Sequence, residues 1–369
     1  MKPQLAGRHE ESEVRVGARG LLERVRAPEL LNARPDHGTT HDPLLWTALA
    51  EAGWLGLWMP EDCGGSAAPF RQLVAFHQEA GRALVPTTLL SSTYFSLLIE
   101  QLADTDTRQQ YLPRIASGEF LAAVADAEPH AYLKLDAYRT RLDNATVTGT
   151  KDFVRNASQA DALAVLAREG ASEQLIVAIV DPASSGVAIS EHLTVGHDSQ
   201  ALVSLNEAPA VATLYAARSG LDLAIQRATC LQAAELLGAA EYVLELTLIH
   251  VRTRHQFGRA IGSFQAVQHL LADLAMRLDG ARLLMDKAAH ALEGGPAALE
   301  TSRAKARAND VAHRLVVASH HLHGGMGYVR EGGLYLWSQR QKAAEQWFGS
   351  TAVHLKKIAD LVRPAMSQT

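Results

Sequence analysis

At 369 residues, 47% of them hydrophobic, the chain exceeds one typical domain and carries enough apolar side chains for two or three cores. Lys and Arg number 35 against 40 Asp and Glu, and the formal charge of −5 excludes a protein whose main partner is nucleic acid. The N-terminus lacks a signal-like apolar core, and no apolar run approaches the roughly 18 to 20 residues of a spanning helix, so the expectation is a cytoplasmic protein without a membrane partner.

Residues 1–118 read as an α-helical N-terminal domain. From Pro43 to Ala52 apolar residues recur at helical spacing, with Asp42 as N-cap, Pro43 at the first position and Gly53 ending the run. Trp46, Trp54 and Trp58 read as core aromatics of this domain. Glu61–Ser66 is a loop whose glycines suit tight turns. Cys63 and Cys230 lie far apart without a Cys-x-x-Cys or Cys/His pattern, so they read as packed thiols and not as a disulfide or zinc framework.

Residues 119–215 read as a β middle domain, a small barrel or sandwich. Its expected strands are 120–125, 139–142, 145–148, 162–167, 175–180, 187–190 and 202–205, separated by turn residues such as Asp143-Asn144 and Ser185-Gly186. Residues 216–369 read as a C-terminal helical bundle with long helices over 221–250, 264–293 and 297–321 and a fourth from Trp347 onward. The fold class is therefore mainly α with a central β-domain. His320, His321 and His323 lack the matched second pair that a metal site needs, so they read as exposed or turn-lining and no metal is expected.

Two segments of the bundle carry a specific signal. Arg252-Thr253-Arg254-His255-Gln256-Phe257-Gly258-Arg259, continuing to Phe264-Gln265-Ala266-Val267-Gln268-His269, and His321-Leu322-His323-Gly324-Gly325-Met326-Gly327-Tyr328 together resemble the acyl-CoA dehydrogenase family. Trp54–Gly65 and the Gly149-Thr150-Lys151 turn match the family pattern in order, so the resemblance covers nearly the whole chain. It implies the family's three-part fold, with a four-helix-bundle C-domain that serves oligomerisation and a tetrameric state. It also implies FAD as cofactor and an acyl-CoA thioester as substrate. The family reaction removes the α-proton to a carboxylate while the β-hydrogen leaves as hydride to flavin N5, and general-base assistance is usually worth about 10² to 10⁴ in rate.

The same resemblance implies that Arg254, Phe257, Gln265, His323, Gly324 and Gly325 form a half-site that reaches across a subunit interface to the pyrophosphate and adenosine of a neighbour's FAD. A dianionic pyrophosphate calls for a cationic, hydrogen-bonding clamp, and glycines let a backbone approach closely. The base, however, is missing. Where the family has a Tyr-Glu-Gly-Thr-like motif this chain has Trp347-Phe348-Gly349-Ser350, with Phe348 in the place of the glutamate. The alternative base position of some relatives falls on Ala228, beside Arg227, with Asp222 and Glu235 as the nearest carboxylates. Glu331 and Glu345 are the weak candidates for a displaced base.

The flavin cradle departs from the family as well. A Thr-Glu-Pro-x-x-Gly-Ser-Asp-like loop becomes Ala127-Glu128-Pro129-His130-Ala131-Tyr132, and a Trp-Ile-Thr-Asn-like strand becomes Phe153-Val154-Arg155-Asn156. Ala127, Phe153 and Arg155 thus alter the residues that would hold this chain's own isoalloxazine ring, and Tyr132 and Arg155 read as filling its space. The residues lent to a neighbour survive while those for the chain's own ring do not. That asymmetry suggests a base-lacking subunit of an α₂β₂ acyl-CoA dehydrogenase like those of actinobacteria, several acting on steroid side-chain thioesters. The alternatives are a self-sufficient homo-oligomer with a displaced base, acting on an acyl-CoA or acyl-carrier substrate, and a flavin monooxygenase or non-catalytic use of the fold.

Overall fold

The computed structural model describes residues 3–25, 41–131, 134–170, 172–196, 198–215 and 217–366. Tyr132 lies outside the described residues. The chain divides into two compact units, one built from the first helix, 70–85 and the residues from Thr229 onward, the other from the described residues of 36–69 and 86–228.

In the second of these units, Asp42 caps the Pro43–Glu51 helix by accepting from the Leu44 and Leu45 amides at 3.1 and 3.2 Å, with Pro43 in the first turn as expected. Leu45, Trp46 and Leu49 are buried, and Trp46 Nε1 donates to the Gly118 carbonyl at 3.0 Å. Helices Thr88–Leu102 and Thr105–Ala116 complete its helical part.

The β-region is a closed barrel. Strands β1 (Ala122–Ala125), β2 (Arg141–Asp143), β3 (Thr146–Arg155), β4 (Ala162–Glu169), β5 (Leu175–Val180), β6 (Val187–His192) and β7 (Gln200–Tyr215) share one sheet. Pairing runs β4–β2–β3–β7–β5 and back to β4, with β1 parallel to β4 and β6 on β7. Closure removes most free edges. Alternate residues of the strands, among them Leu163, Val165, Ile176, Ala178, Ala201 and Val203, fill the interior. Four strands, β3, β4, β6 and β7, run longer than expected. β7 pairs β6 over Gln200–Leu205 and β5 from Ala210 on, so the polar stretch Asn206-Glu207 is a bulge with Glu207 at φ +50° and not the end of a strand.

The other unit is helical: Pro3–Val25, Phe70–Arg82, the Arg218–Thr253 helix from Thr229 on, Gln265–Glu293, Ala298–His323, Leu334–Ala344 and Thr351–Met366. Phe70–Arg82 and Arg218–Thr253 touch backbone to backbone through two glycines: a Cβ on Gly81 would sit 2.0 Å from the Glu235 carbonyl oxygen, and one on Gly238 1.8 Å from that of Gln78. Arg19 binds Glu79 at 2.8 Å across the neighbouring helix pair.

The fourth bundle helix does not start at Trp347. Phe348 and Gly349 stand at φ +58° and +111°, a left-handed kink that no helix tolerates. The apolar run divides instead into Leu334–Ala344 and Thr351–Met366, and the first of these has no counterpart among the expected elements. The architecture is helical toward both ends with a central β-region, as expected. Among the described residues no helix is long and apolar enough to cross a membrane.

Candidate active site

The half-site residues gather where helices end. The Arg218–Thr253 helix runs into a two-residue hairpin, His255-Gln256 pairing with Arg259-Ala260, whose tip Phe257-Gly258 is left-handed at φ +55° and +79°. This turn projects the Phe257 ring into solvent, 91% exposed, with Phe264 edge-on at 6.2 Å and the Arg259 guanidinium 4.0 Å over the Phe264 ring. Arg254 and Gln265 are exposed on either side of the hairpin.

His250 stacks on His323 at 4.1 Å and brings the end of the Arg218–Thr253 helix beside the Gly-Gly turn. Gly324 and Gly325 are exposed, and a Cβ on either would meet nothing within 4 Å, so the backbone is open to approach. Gly324 additionally adopts φ +59°. Burial, then His250 and His320, hold the His323 imidazole down to about 4. The His323 ring is therefore neutral at neutral pH, and the positive charge at this turn comes from arginines, Arg254 among them. These residues fit the phosphate and adenosine half of a dinucleotide: an exposed guanidinium, an amide, an apolar ring and an open glycine backbone.

The histidine run departs from expectation in part. His321 is exposed, but His320 is 9% exposed, bonded through Nε2 to Ser338 Oγ at 2.9 Å and stacked on Tyr328 at 4.4 Å. Gly327 makes room for it, since a Cβ there would lie 2.9 Å from His320 Nδ1. No group of His, Cys, Asp or Glu that could hold a metal occurs among the described residues.

At the base position Phe348 is 3% exposed. Its kinked loop is held by a buried polar network that no motif in the sequence announces. His354 Nε2 donates to the Phe348 carbonyl at 2.9 Å, and Asn309 Nδ2 donates to the Glu345 and Gly349 carbonyls at 3.2 and 3.3 Å. Fully buried Lys305 donates to Asn309 Oδ1 at 2.7 Å and to the Ala344 carbonyl at 3.2 Å. Burial, then the Lys305 and Lys357 charges, push His354 down to about 3, so it is neutral. Ala228, the second base position, is fully buried, and Arg227 beside it pairs with Glu100 at 3.4 Å.

The candidate carboxylates are engaged or exposed. Glu345 pairs with Lys342 at 3.1 Å, Glu331 is exposed in a short turn, and Asp222 pairs with Arg218 at 3.0 Å. Glu235 pairs with fully buried His77 at 2.9 Å.

The cradle region at the ends of β1 and β3 is crowded with charge. Arg155 is 8% exposed and Ala127 3%. Burial raises the Asp126 carboxyl, opposed by the Arg155 charge and by a hydrogen bond with Tyr94, itself 1% exposed. Burial, then the Asp126 charge, pushes the Tyr94 phenol well up. Beside them Lys151, wholly buried, binds Glu128 Oε1 at 2.9 Å and lies 4.1 Å over the Tyr138 ring. Burial pulls Lys151 to about 8, while Glu128 works to keep it charged. Burial alone would raise Glu128, but Lys151 and the Arg139 and Thr140 amides outweigh it and hold the carboxyl low. Phe153, 51% exposed at φ +53°, tilts against His192 at 5.4 Å. Asp126 and Tyr94 carry no motif, so nothing in the sequence flagged them as partners of Arg155. Arg155 and its partners do not fit the open, hydroxyl-lined slot that a flavin ring requires.

Family models match at both ends of the chain: the acyl-CoA dehydrogenase N-terminal domain over residues 8–119 and the acyl-CoA dehydrogenase C-terminal domain over 214–362. The 3-(aryl)acrylate reductase of Clostridium sporogenes is 30% identical over 314 residues, 77% of this chain and 80% of that protein. The chain belongs to the acyl-CoA dehydrogenase family. Members of this family are FAD-dependent oxidoreductases acting on acyl-CoA. Among solved structures, a variant of the Tcur3481–Tcur3483 steroid ACAD superposes with a TM-score of 0.87 at 27% identity, covering 97% of this chain and 99% of that one. The ChsE4–ChsE5 complex from Mycobacterium tuberculosis superposes at 0.87 with 26% identity, over 96% and 97% of the two chains.

Proposed function

We propose that this acyl-CoA dehydrogenase family chain is the base-lacking subunit of a heteromer. Arg254, Phe257, Gln265, His323, Gly324 and Gly325 complete the FAD site of a homologous partner, and the partner supplies the flavin cradle and the proton-abstracting carboxylate. The observation that carries the reading is a contrast within one chain: the half-site residues other than His323 stand exposed, whereas Arg155 is buried against Asp126 where its own ring would be held. Phe348 and Ala228, both buried and apolar at the two base positions, support it further, because neither accepts a proton.

The substrate proposed is a steroid side-chain acyl-CoA, on the likeness to a steroid ACAD, and the assembly an α₂β₂ tetramer, on the likeness to a two-protein complex. The working location proposed is the cytoplasm, and the three-part division at residues 118/119 and 215/216 is retained as a functional one. The decisive experiment is to purify the chain alone and co-expressed with a homologous acyl-CoA dehydrogenase subunit from the same source. The expected result is a colourless, inactive chain alone and one FAD per heterodimer together. A yellow homo-oligomer with one FAD per chain that dehydrogenates an acyl-CoA overturns the reading.

A further inference from the structure

Inside the helical unit, next to the loop that carries Phe348, lies a small cavity walled by Gly81, Gln232, Glu235, Arg340, Gln341 and Trp347 among others. Its walls are unusual for a bundle interior. Gln341 is 4% exposed, and neither its amide oxygen nor its amide nitrogen has a hydrogen-bond partner. Gln232 is 1% exposed, with an equally unpartnered amide oxygen. Buried polar atoms are nearly always satisfied, by protein or by an ordered molecule. The charged groups on the wall already have partners, Glu235 with His77 at 2.9 Å and Arg340 with the Val85 carbonyl at 3.2 Å. The unmet demand is therefore that of two neutral amides.

We propose that this cavity is a binding site for one ordered water molecule. Two amide oxygens each need a donor and the Gln341 nitrogen needs an acceptor. A ketone donates nothing, an ammonium accepts nothing and an alcohol hydroxyl donates only once, whereas water donates twice and also accepts. Rotating the Gln341 amide exchanges its two roles without changing the demand. Size agrees, since the cavity volume is about 20 Å³ and one water needs roughly 10–15 Å³. The glycine contact at Gly81 brings the helix backbones together beside the cavity, so no side chain from the Phe70–Arg82 helix fills it. The bound oxygen would link Gln232 to Gln341, one short segment ahead of Trp347 and Phe348. Neither flavin nor a partner's carboxylate is needed for it.

The test is a high-resolution crystal structure of the full chain, with whatever subunit it purifies with and no added small molecules. The expected result is one ordered oxygen about 2.7–3.2 Å from the Gln232 and Gln341 side chains. An isolated peak identifies water, and density running on into carbon counts against the proposal. An empty cavity, or both amides paired to protein groups, overturns the proposal. Melting curves for Gln232→Leu, Gln341→Leu and the double variant give a second reading. A shared oxygen makes each single replacement lower Tm and the double lower it by less than the sum, because removing both partners leaves nothing unsatisfied. Strictly additive shifts count against it.

Discussion

The imidazole of His354 donates from Nε2 to the carbonyl oxygen of Phe348 at 2.9 Å, and its Nδ1 lies buried without a partner. A neutral ring thus pins the kinked loop at the family's base position. Burial disfavours the protonated ring, and the Lys305 and Lys357 charges add to that, so the folded-state value falls to about 3. In the unfolded chain the same ring titrates near its ordinary value of 6.5. Between those values the unfolded state binds a proton that the folded state refuses, so this contribution is present above about 6.5 and is lost as pH falls toward 3. The slope is about 1.4 kcal/mol per pH unit in that window, and the total loss is on the order of a few kcal/mol. Urea unfolding at pH 7 and pH 5 should show the wild type losing more than His354→Leu, which forfeits about 1 kcal/mol at pH 7 but has no proton to take up at this site. Equal losses in both proteins would remove His354 from the account.

That network marks the limit of what the sequence discloses. The Asp42-Pro43 helix start, the strand runs and the long helices follow from spacing and capping chemistry, and the family motifs point to the half-site proposed above. Lys305, Asn309 and His354 sit in ordinary helical patterns, and only the fold brings them to one loop. Trp347 and Phe348 extend an apolar run that reads as helix, because left-handed φ at a phenylalanine has no sequence signature. Arg155 stands out by its departure from the family, but its partners Tyr94 and Asp126 come from a helix and a strand end remote in sequence, so the charge pairing is invisible beforehand.

Arg254 offers a direct test of the half-site. It is exposed and makes no side-chain ion pair within its own chain among the described residues, so Arg254→Ala should leave unfolding unchanged within about 0.5 kcal/mol. A charge-assisted bond to phosphate is worth about 1.5–3 kcal/mol. The co-purified heteromer should accordingly bind FAD about 10- to 100-fold more weakly, read as flavin-to-protein ratio after gel filtration and as activity restored by excess FAD. Undiminished flavin retention would show that this arginine clamps nothing.

Two helical glycines should answer the same substitution with opposite signs. At Gly238 a Cβ would lie 1.8 Å from the Gln78 carbonyl oxygen, so backbone must move and Gly238→Ala should destabilise by about 1–3 kcal/mol or more. The helix-propensity gain of alanine, at most about 1 kcal/mol, is too small to offset this. At Gly280 a Cβ meets nothing within 4 Å, and Gly280→Ala should stabilise by up to about 1 kcal/mol. Denaturant midpoints of the two variants, measured side by side, check the helix crossing at Gly81 and Gly238. Equal shifts would contradict it.

Restoring the missing base should not restore the reaction. Phe348→Glu places a carboxyl at a 3% exposed site whose backbone is already left-handed, and the polar network around it is complete without a charge. The acid should be held largely protonated by burial, with a stability cost of roughly 1–3 kcal/mol. More decisively, on the proposed reading buried Arg155, with Asp126 beside it, stands where the chain's own ring would lie, which leaves no hydride acceptor on this side. The purified Phe348→Glu chain should remain colourless and inactive toward acyl-CoA, and in the proposed heteromer it should change kcat by less than about twofold, since on that reading the carboxylate is the partner's. Only adding Arg155→Thr and Asp126→Ala should begin to admit flavin, seen as absorbance near that of oxidised FAD with one chain type present. Activity from Phe348→Glu alone would mean that the cradle is open after all and that the loss of the glutamate is the sole reason for dependence on a partner.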